Sequence, residues 1–387
     1  MSDVPDFDER LSRLVREVKS LSGGTSLPPI EGEPGGGLRL DLLLARASEA
    51  HASDLLLVPG VPPVARVDGR LVAVDPRVLD GNAVRELVLE VLEERGERDL
   101  DQRKAADFCF DRPGLGRFRC NAHHQRGLLA AAIRALPAAI PSLEALGLPK
   151  AIARFAELER GMVLLCGPAG CGKSTTLACI VDIVNRTRNA HVITVEDPVE
   201  YVHAHGTCIV EQVEVGLDTP SFGEALRHVL RQDPDVILVG EMRDRETMAM
   251  ALTAAETGHL VLSTLHTGTV AQTLDRIVDV FPEDQQPQIR SQLSLSLAGI
   301  VLQQLLPRRE GPGRVPAVEV LFANDAIRNL IRRGLNHQIP AQMAVGRAAG
   351  MIQMDESLAR LVKAGTVARE EAFRRAAHPE EFESFLR

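Results

Sequence analysis

The chain has no tryptophan and one tyrosine in 387 residues, so it lacks the aromatic platforms on which single-stranded nucleic acid usually stacks. Its net charge of −9 withholds the basic field that nonspecific binding to nucleic acid or anionic lipid requires. The six cysteines, Cys109, Cys120, Cys166, Cys171, Cys179 and Cys208, include no C-x-x-C pair, which points to reduced thiols rather than a zinc knuckle or a redox dithiol. No apolar run approaches the roughly 18 to 20 residues that a membrane-spanning helix needs, and no charged-then-apolar leader opens the chain. Together these absences predict a cytoplasmic protein with no nucleic-acid partner and no membrane span. What remains, 45% hydrophobic and 25% charged residues, is ordinary for a globular chain of two to three domains.

The most informative segment that is present is Gly167-Pro168-Ala169-Gly170-Cys171-Gly172-Lys173-Ser174, which fits the phosphate-cradling pattern G-x-x-x-x-G-K-[ST] at every fixed position. An apolar run of strand length precedes it (MVLLC, 162–166), and residues 174–185 carry Leu177, Ile180, Val181 and Val184 at helical spacing. In a strand-loop-helix of this kind the loop N–H groups and the helix N-terminus face the phosphates of a nucleotide. Lys173 then reaches the terminal phosphates and the Ser174 hydroxyl ligates Mg²⁺. Cys171 occupies a variable position of the pattern and is assigned no role.

A second apolar run, 236–239, ends in Gly240-Glu241, a Walker B arrangement that delivers an acid to the carboxyl edge of a sheet beside the phosphate loop. A third, 192–195, runs into Glu196-Asp197-Pro198-Val199-Glu200. One carboxylate of these groups can serve the metal while another orients the attacking water, the division of roles that phosphoanhydride hydrolysis needs. The run 260–264 is flanked by His259 and His266, and the strand is expected to carry His266 toward the catalytic edge, where it senses the γ-phosphate.

Read for organisation, residues 1–37 are an amphipathic helix followed by a Gly/Pro/Ser-rich linker. Residues 38–136 mix helices (40–49, 82–94) and short β runs (54–58, 63–67, 107–110, 116–122, 127–134) into a small α+β domain. A Pro/Ala-rich connector covers 137–148. From 149 onward strands alternate with helices, the sign of a parallel sheet with helices on its faces, and from about 285 the chain reads as mostly helical. Ser221 and Glu224 have capping-box spacing at the head of a helix. The fold class expected is α/β.

In this order, GPAGCGKST (167–175), ITVEDPVE (193–200), LRQDPDVILVGEMRD (230–244) and GHLVLSTLHT (258–267) resemble the Walker A, Asp, Walker B and His boxes of the type II/type IV secretion ATPase superfamily. The resemblance runs from about residue 38 to the C-terminus. It implies a PAS-like N-terminal domain, carried by HASDLLL (51–57) and PPVARVDGRL (62–71), before a RecA-like ATPase domain (149–387) with C-terminal helices. It also implies ATP and ADP as ligands with Mg²⁺, and Thr175 joins the nucleotide-binding residues. Glu200 becomes the general base or water-polarising residue, Glu241 the Mg²⁺-associated acid, and His259 and His266 the His-box pair. Arg117, Arg119 and Arg134 look like the arginines that reach nucleotide across a subunit boundary. The absence of a four-cysteine zinc insertion and the segment Ala326-Ile327-Arg328-Asn329-Leu330-Ile331-Arg332 resemble the subgroup that retracts bacterial type IV pili. Arg333 stands where that subgroup generally has an acid. The implied assembly is a homo-hexamer working on an inner-membrane pilus platform, with other pilus motor ATPases as further partners, in the cytoplasm and peripheral to the inner membrane. Another secretion-superfamily ATPase is the alternative.

Overall fold

A computed structural model describes residues 38–387 apart from residues 68 and 138; the helix and linker expected over 1–37 lie outside the described residues. The chain divides after residue 138 into two compact units.

In the first unit, α1 (Leu40–Glu49), β1 (Asp54–Leu57), β2 (Val64–Val67), β3 (Arg70–Ala73), α2 (Gly81–Leu89), α3 (Glu94–Arg103), β4 (Ala105–Arg112), β5 (Gly116–Gln125) and β6 (Leu128–Ala135) follow one another. The strands form one antiparallel sheet in the order β3-β2-β1-β6-β5-β4. Period-2 alternation explains which face is which. On β5, Phe118, Cys120 and Ala122 are buried in a core shared with Leu43, Val84 and Leu87, whereas Arg117 and Arg119 alternate with them and face the other way. The helix expected over 82–94 is α2, which ends at Leu89, and α3 over 94–103 is unexpected. Helix α3 (ERGERDLDQR) buries only Leu100, so it offers no amphipathic stripe to read in sequence.

The second unit is built on a seven-stranded sheet of β7 (Gly161–Cys166), β8 (His191–Glu196), β9 (Ile209–Glu214), β10 (Val236–Val239), β11 (Leu260–Leu265), β12 (Leu297–Pro307) and β13 (Arg314–Phe322). The order is β13-β12-β7-β11-β10-β8-β9, parallel throughout except for the β12–β13 hairpin. Helices α4 (Lys173–Thr187), α5 (Phe222–Val229), α6 (Arg245–Glu256), α7 (Val270–Asp279) and α8 (Gln286–Ser296) connect the strands. Two apolar clusters result, one on each face of the sheet, and strands such as β7 and β11 are buried at every position, as parallel strands covered on both faces must be. Of the expected connector 137–148, Leu143 and Leu148 are buried in this unit and Cys179 Sγ donates to the Pro141 carbonyl.

The mostly helical reading from residue 285 is corrected: β12 and β13 intervene before α9 (Asp325–Arg332), α10 (Ile339–Val345), α11 (Met354–Lys363), α12 (Arg369–Arg375) and α13 (Pro379–Leu386). Strand β12 is buried at most positions, and its apolar residues fall in two short runs either side of Gln303-Gln304 directly after α8, without the alternation that marks a half-exposed strand. Ser221 does cap α5, its Oγ accepting from the Glu224 N–H, but the Glu224 carboxylate goes to Arg227.

Two carboxylates hold the C-terminal helices, Asp355 to one another and Glu319 to β13. Asp355 accepts from the backbone N–H groups of Ala377 (2.8 Å) and His378 (2.9 Å), and Glu319 accepts from the Met354 N–H (3.2 Å). Burial, with the Asp355 charge beside it, pushes the Glu319 carboxyl up to about 7 against these hydrogen bonds and His378. An acid whose pKa is raised on folding stabilises fully below its unfolded value and loses that contribution as pH rises through its folded value. Glu319→Gln is therefore expected to match wild type in apparent Tm near pH 5 and to exceed it above pH 7, by an amount equivalent to about 1–3 kcal/mol; thermal melts at the two pH values measure it.

Candidate functional site

Because β7, β11, β10 and β8 are parallel and in register, with Leu265 opposite Cys166 and Val239 opposite both Ser263 and Val195, the residues that follow them emerge at one edge. These are the 167–174 loop after β7, His266 after β11, Gly240-Glu241 after β10 and the Glu196–Glu200 segment after β8. Strand β11 lies between β7 and β10, so His266 comes out between the loop and Glu241.

The loop is moulded against β12. Gly167 (φ +139°) sits so close that a Cβ there would meet the Gln303 carbonyl oxygen at 2.3 Å and Cys171 Sγ at 2.8 Å; at Gly172 (φ +90°) it would meet Gln303 Nε2 at 2.8 Å. Gln303, 3% exposed, donates from Nε2 to the Cys171 carbonyl (2.7 Å) and accepts at Oε1 from the Thr176 hydroxyl (2.9 Å). Lys173 is buried, its Nζ donating to the carbonyls of Gly167 (2.9 Å) and Pro168 (3.0 Å), while Ser174 is exposed. The start of α4 is left for a ligand. Gly172 caps α4 without a side-chain bond. Uncapped N–H groups at a helix start, with the positive end of its dipole and a buried ammonium beside them, form an anion site. Cys171 is buried and its thiol pushed above its ordinary value by burial.

Glu241 is held by its neighbours' backbones. The Gly240 N–H donates to the Val195 carbonyl (2.7 Å), Thr264 Oγ1 to the Gly240 carbonyl (2.7 Å) and Ser263 Oγ to the Val239 carbonyl (2.7 Å). Its carboxylate, 14% exposed, meets Arg243 Nη2 at 2.7 Å and His266 Nε2 at 3.7 Å. Burial and the Lys173 cation hold His266 below its ordinary pKa, against the pull of Glu241, so at neutral pH the ring is a neutral imidazole with one donor and one acceptor. His259 is elsewhere. It precedes β11, its carbonyl accepts from the Gly161 N–H at the start of β7, and its Nδ1 donates to the Ala254 carbonyl (2.9 Å). The strand length puts it about 20 Å from His266, at the opposite edge of the sheet, so the structure does not bring the two histidines together.

In the acidic segment the structure separates the roles. Glu196 accepts at Oε1 from Thr194 Oγ1 (2.8 Å) and Gln212 Nε2 (3.1 Å), and burial, with the nearby Glu200 charge, pushes it up to about 6. It is a supporting carboxyl, committed to internal bonds. Glu200 is half-buried and followed by Tyr201, whose hydroxyl donates to Thr175 Oγ1 on α4 (3.0 Å). Gln212, Gln303 and Tyr201 carry no sequence signal of a site: each acts through one hydrogen bond or more to residues far away in the chain.

In the first unit the three expected arginines share the outer face of the sheet. Arg117 pairs with Asp111 (3.1 Å), Arg119 with Asp107 (3.8 Å) and Arg134 with Asp54 (2.8 Å), and Arg119 lies directly opposite Arg134 in the β5–β6 register. Two like charges facing each other across a ladder are unfavourable unless an anion lies between them. Exposed ion pairs contribute about 0–1 kcal/mol each, so little of this unit's stability depends on them. A cavity of about 420 Å³ lined by Arg160, Gly161, Glu256, Leu295 and Arg328 opens at the amino ends of β7 and β12, away from the phosphate loop.

Residues 130–374 match the type II/IV secretion system protein family. The chain is 44% identical over 340 residues to the type IV pilus retraction ATPase PilT of Pseudomonas aeruginosa, covering 88% of this chain and 98% of that one. It is 42% identical over 339 residues to the type IV pilus ATPase PilU of the same organism, covering 88% and 89%. Among solved structures, that of the pilus retraction motor PilT with bound ADP superposes with a TM-score of 0.84 at 45% identity, covering 90% of this chain and 99% of that one.

The Gln303 bridge generates a test. Gln303→Leu keeps the volume but strands the Cys171 carbonyl, while the Thr176 hydroxyl keeps the Gly172 carbonyl (3.1 Å) as its acceptor; the loss costs about 1–3 kcal/mol of local loop order. Binding of Mg·ADP measured by calorimetry is expected to weaken about tenfold or more while the global melting temperature moves little.

Proposed function

The chain belongs to the type II/IV secretion system protein family, and on that premise we propose that it is a Mg²⁺-dependent ATPase ring motor that powers retraction of type IV pili. The observation that carries this reading is the joint one of an uncapped phosphate loop, Glu241 and a neutral His266 at one sheet edge in a chain that aligns along nearly the whole of a pilus retraction ATPase. The first unit is read as the PAS-like domain and the second as RecA-like.

The residues present fit Mg·ATP. Lys173 exchanges its bonds to the Gly167 and Pro168 carbonyls for the terminal phosphates, and the loop 167–175 supplies backbone donors. Ser174 supplies a hydroxyl to Mg²⁺ and Glu241 a carboxylate through water. Mg²⁺ held there would supply charge neutralisation for the phosphates, with Ser174 and Glu241 as the residues that would hold it. Glu200 orients and deprotonates the attacking water, and His266, held neutral, donates a hydrogen bond toward the γ-phosphate. Arg119 and Arg134, with Arg117, reach the nucleotide of a neighbouring subunit; their opposed charges on an outer face suit a shared anion. Hydrolysis then depends on assembly, which favours a homo-hexamer. The ring acts on an inner-membrane platform of the pilus machine, alongside other pilus motor ATPases, as a cytoplasmic protein peripheral to the inner membrane. His259, at the far edge, is assigned a role in the His box but not in phosphate contact.

A second reading, another motor of the same family, is favoured by the near-equal identity to PilU and by Arg333. Helix α9 decides between them. It buries Ile327, Leu330 and Ile331 and exposes Arg332, so paired Arg328→Ala and Arg332→Ala should keep ATPase activity and abolish retraction if the protein is the primary retraction motor.

Steady-state ATP hydrolysis measured against protein concentration, with oligomer mass followed in parallel, tests the main reading. Turnover should rise as a six-subunit species forms. It should fall in Arg119→Ala and Arg134→Ala, and by about 10²-fold or more in Glu200→Gln with nucleotide binding retained. Concentration-independent turnover from a monomer would remove the ring mechanism.

A further inference from the structure

Tyr201 is the sole tyrosine of the chain, is 6% exposed, and immediately follows Glu200. Its hydroxyl donates to Thr175 Oγ1 at 3.0 Å, and Thr175 is the residue after Ser174 in the first turn of α4. One side-chain bond thus joins the segment that carries Glu200 to the helix start that meets the phosphates. The backbone of that segment is fastened separately. Gln212 Nε2 donates to the Tyr201 carbonyl (2.8 Å) and to Glu196 Oε1 (3.1 Å), and Gln212 Oε1 accepts from the His203 N–H (2.8 Å). The Val199 N–H donates to Glu214 Oε2 (3.1 Å). Glu200 therefore lies in a stretch clamped to β9 on both sides through the backbone and linked to α4 through the phenol.

We propose that Tyr201 is a positioning residue, its hydroxyl bond to Thr175 setting the placement of Glu200 against the phosphate loop. This rests on the reading of Glu200 as the water-orienting base. The physical case is one of geometry. Beyond the clamp on β9, the lateral position of Glu200 relative to Ser174 and Lys173 is controlled by a bond running directly between the two segments. A carboxylate that must meet a water in line with the γ-phosphate loses efficiency steeply when displaced, about 10²-fold for 1 Å. Burial pushes the phenol above its ordinary pKa, with the Thr175 bond opposing, so at neutral pH it keeps its proton and remains the donor. Loss of the bond should lower kcat and leave binding alone, because the loop's own backbone donors and Lys173 are untouched.

The test uses the full chain at concentrations where the six-subunit species is formed. Tyr201→Phe removes one oxygen and keeps the ring, so folding is preserved, and Thr175 is only half-buried and regains water. The expected result is a fall in kcat of about tenfold with KM for ATP and Kd for Mg·ADP within about twofold of wild type. Thr175→Val, which breaks the same bond from the other side, should move the near-ultraviolet tyrosine band, which in this chain reports Tyr201 alone. The double variant should be no slower than the slower single one, the non-additivity of a shared interaction. Wild-type kcat in Tyr201→Phe beside an inactive Glu200→Gln overturns the proposal and leaves the base in place. Wild-type kcat in both overturns the reading of Glu200 and the proposal with it. A weakened Kd at unchanged kcat, or a tyrosine band indifferent to Thr175→Val, also overturns it.

Discussion

Every group in the second unit that can meet a phosphate depends on the parallel register of β7, β11, β10 and β8. Parallel strands deliver their following loops to one edge, and the insertion of β11 between β7 and β10 sets the spacing there. The phosphate loop and Glu241 stand two strands apart, with His266 between them. The hydroxyls of Ser263 and Thr264, bonded to carbonyls at the end of β10, fasten the acid-bearing turn to this central strand. A slip of one residue between β11 and β10 would turn those hydroxyls to the other face.

The phosphate loop itself is held from the side by β12, a strand not evident in the sequence pattern. Gly167 and Gly172 leave no room for a Cβ because Gln303 fills the space, and the amide of Gln303 is satisfied at both ends, by Cys171 and Thr176. A buried amide with both partners in place rigidifies what it touches. The start of α4, by contrast, has no side-chain cap, so its donors stay available. Rigidity at the base of the loop and unspent donors at its mouth are what an anion site requires.

Electrostatics at this edge follows burial. Glu196 is raised by desolvation and tied to Thr194 and Gln212, with the half-buried Glu200 close by, and His266 is lowered by burial and by Lys173. Neighbouring titratable groups pushed in different directions are how acid, base and bystander are told apart. The first unit shows a different pattern: Arg119 opposite Arg134 on an outer face, each paired with a carboxylate.

The sequence by itself determined the nucleotide chemistry, because the phosphate loop, the acid after β10 and the acidic segment after β8 are local patterns in which residue type and spacing carry the physics. It also determined the α/β class and the arginine-bearing strands, through alternation and apolar runs. Its pattern did not reveal β12 and β13, neither of which alternates cleanly between buried and exposed positions, or α3, which buries a single leucine. The run 260–264 already led His266 to be expected at the edge of the phosphate loop; only the tertiary structure decided that His259, seven residues earlier in the chain, lies at the far edge. It alone selected Glu196 as an internally committed carboxyl. The contacts of Gln303 with Cys171, Tyr201 with Thr175 and Gln212 with Glu196 belong to the same class. Each joins residues distant in sequence through a single atom's reach, and a hydrogen bond of about 3 Å is specified by where the chain has been brought, not by which residues stand next to one another along it.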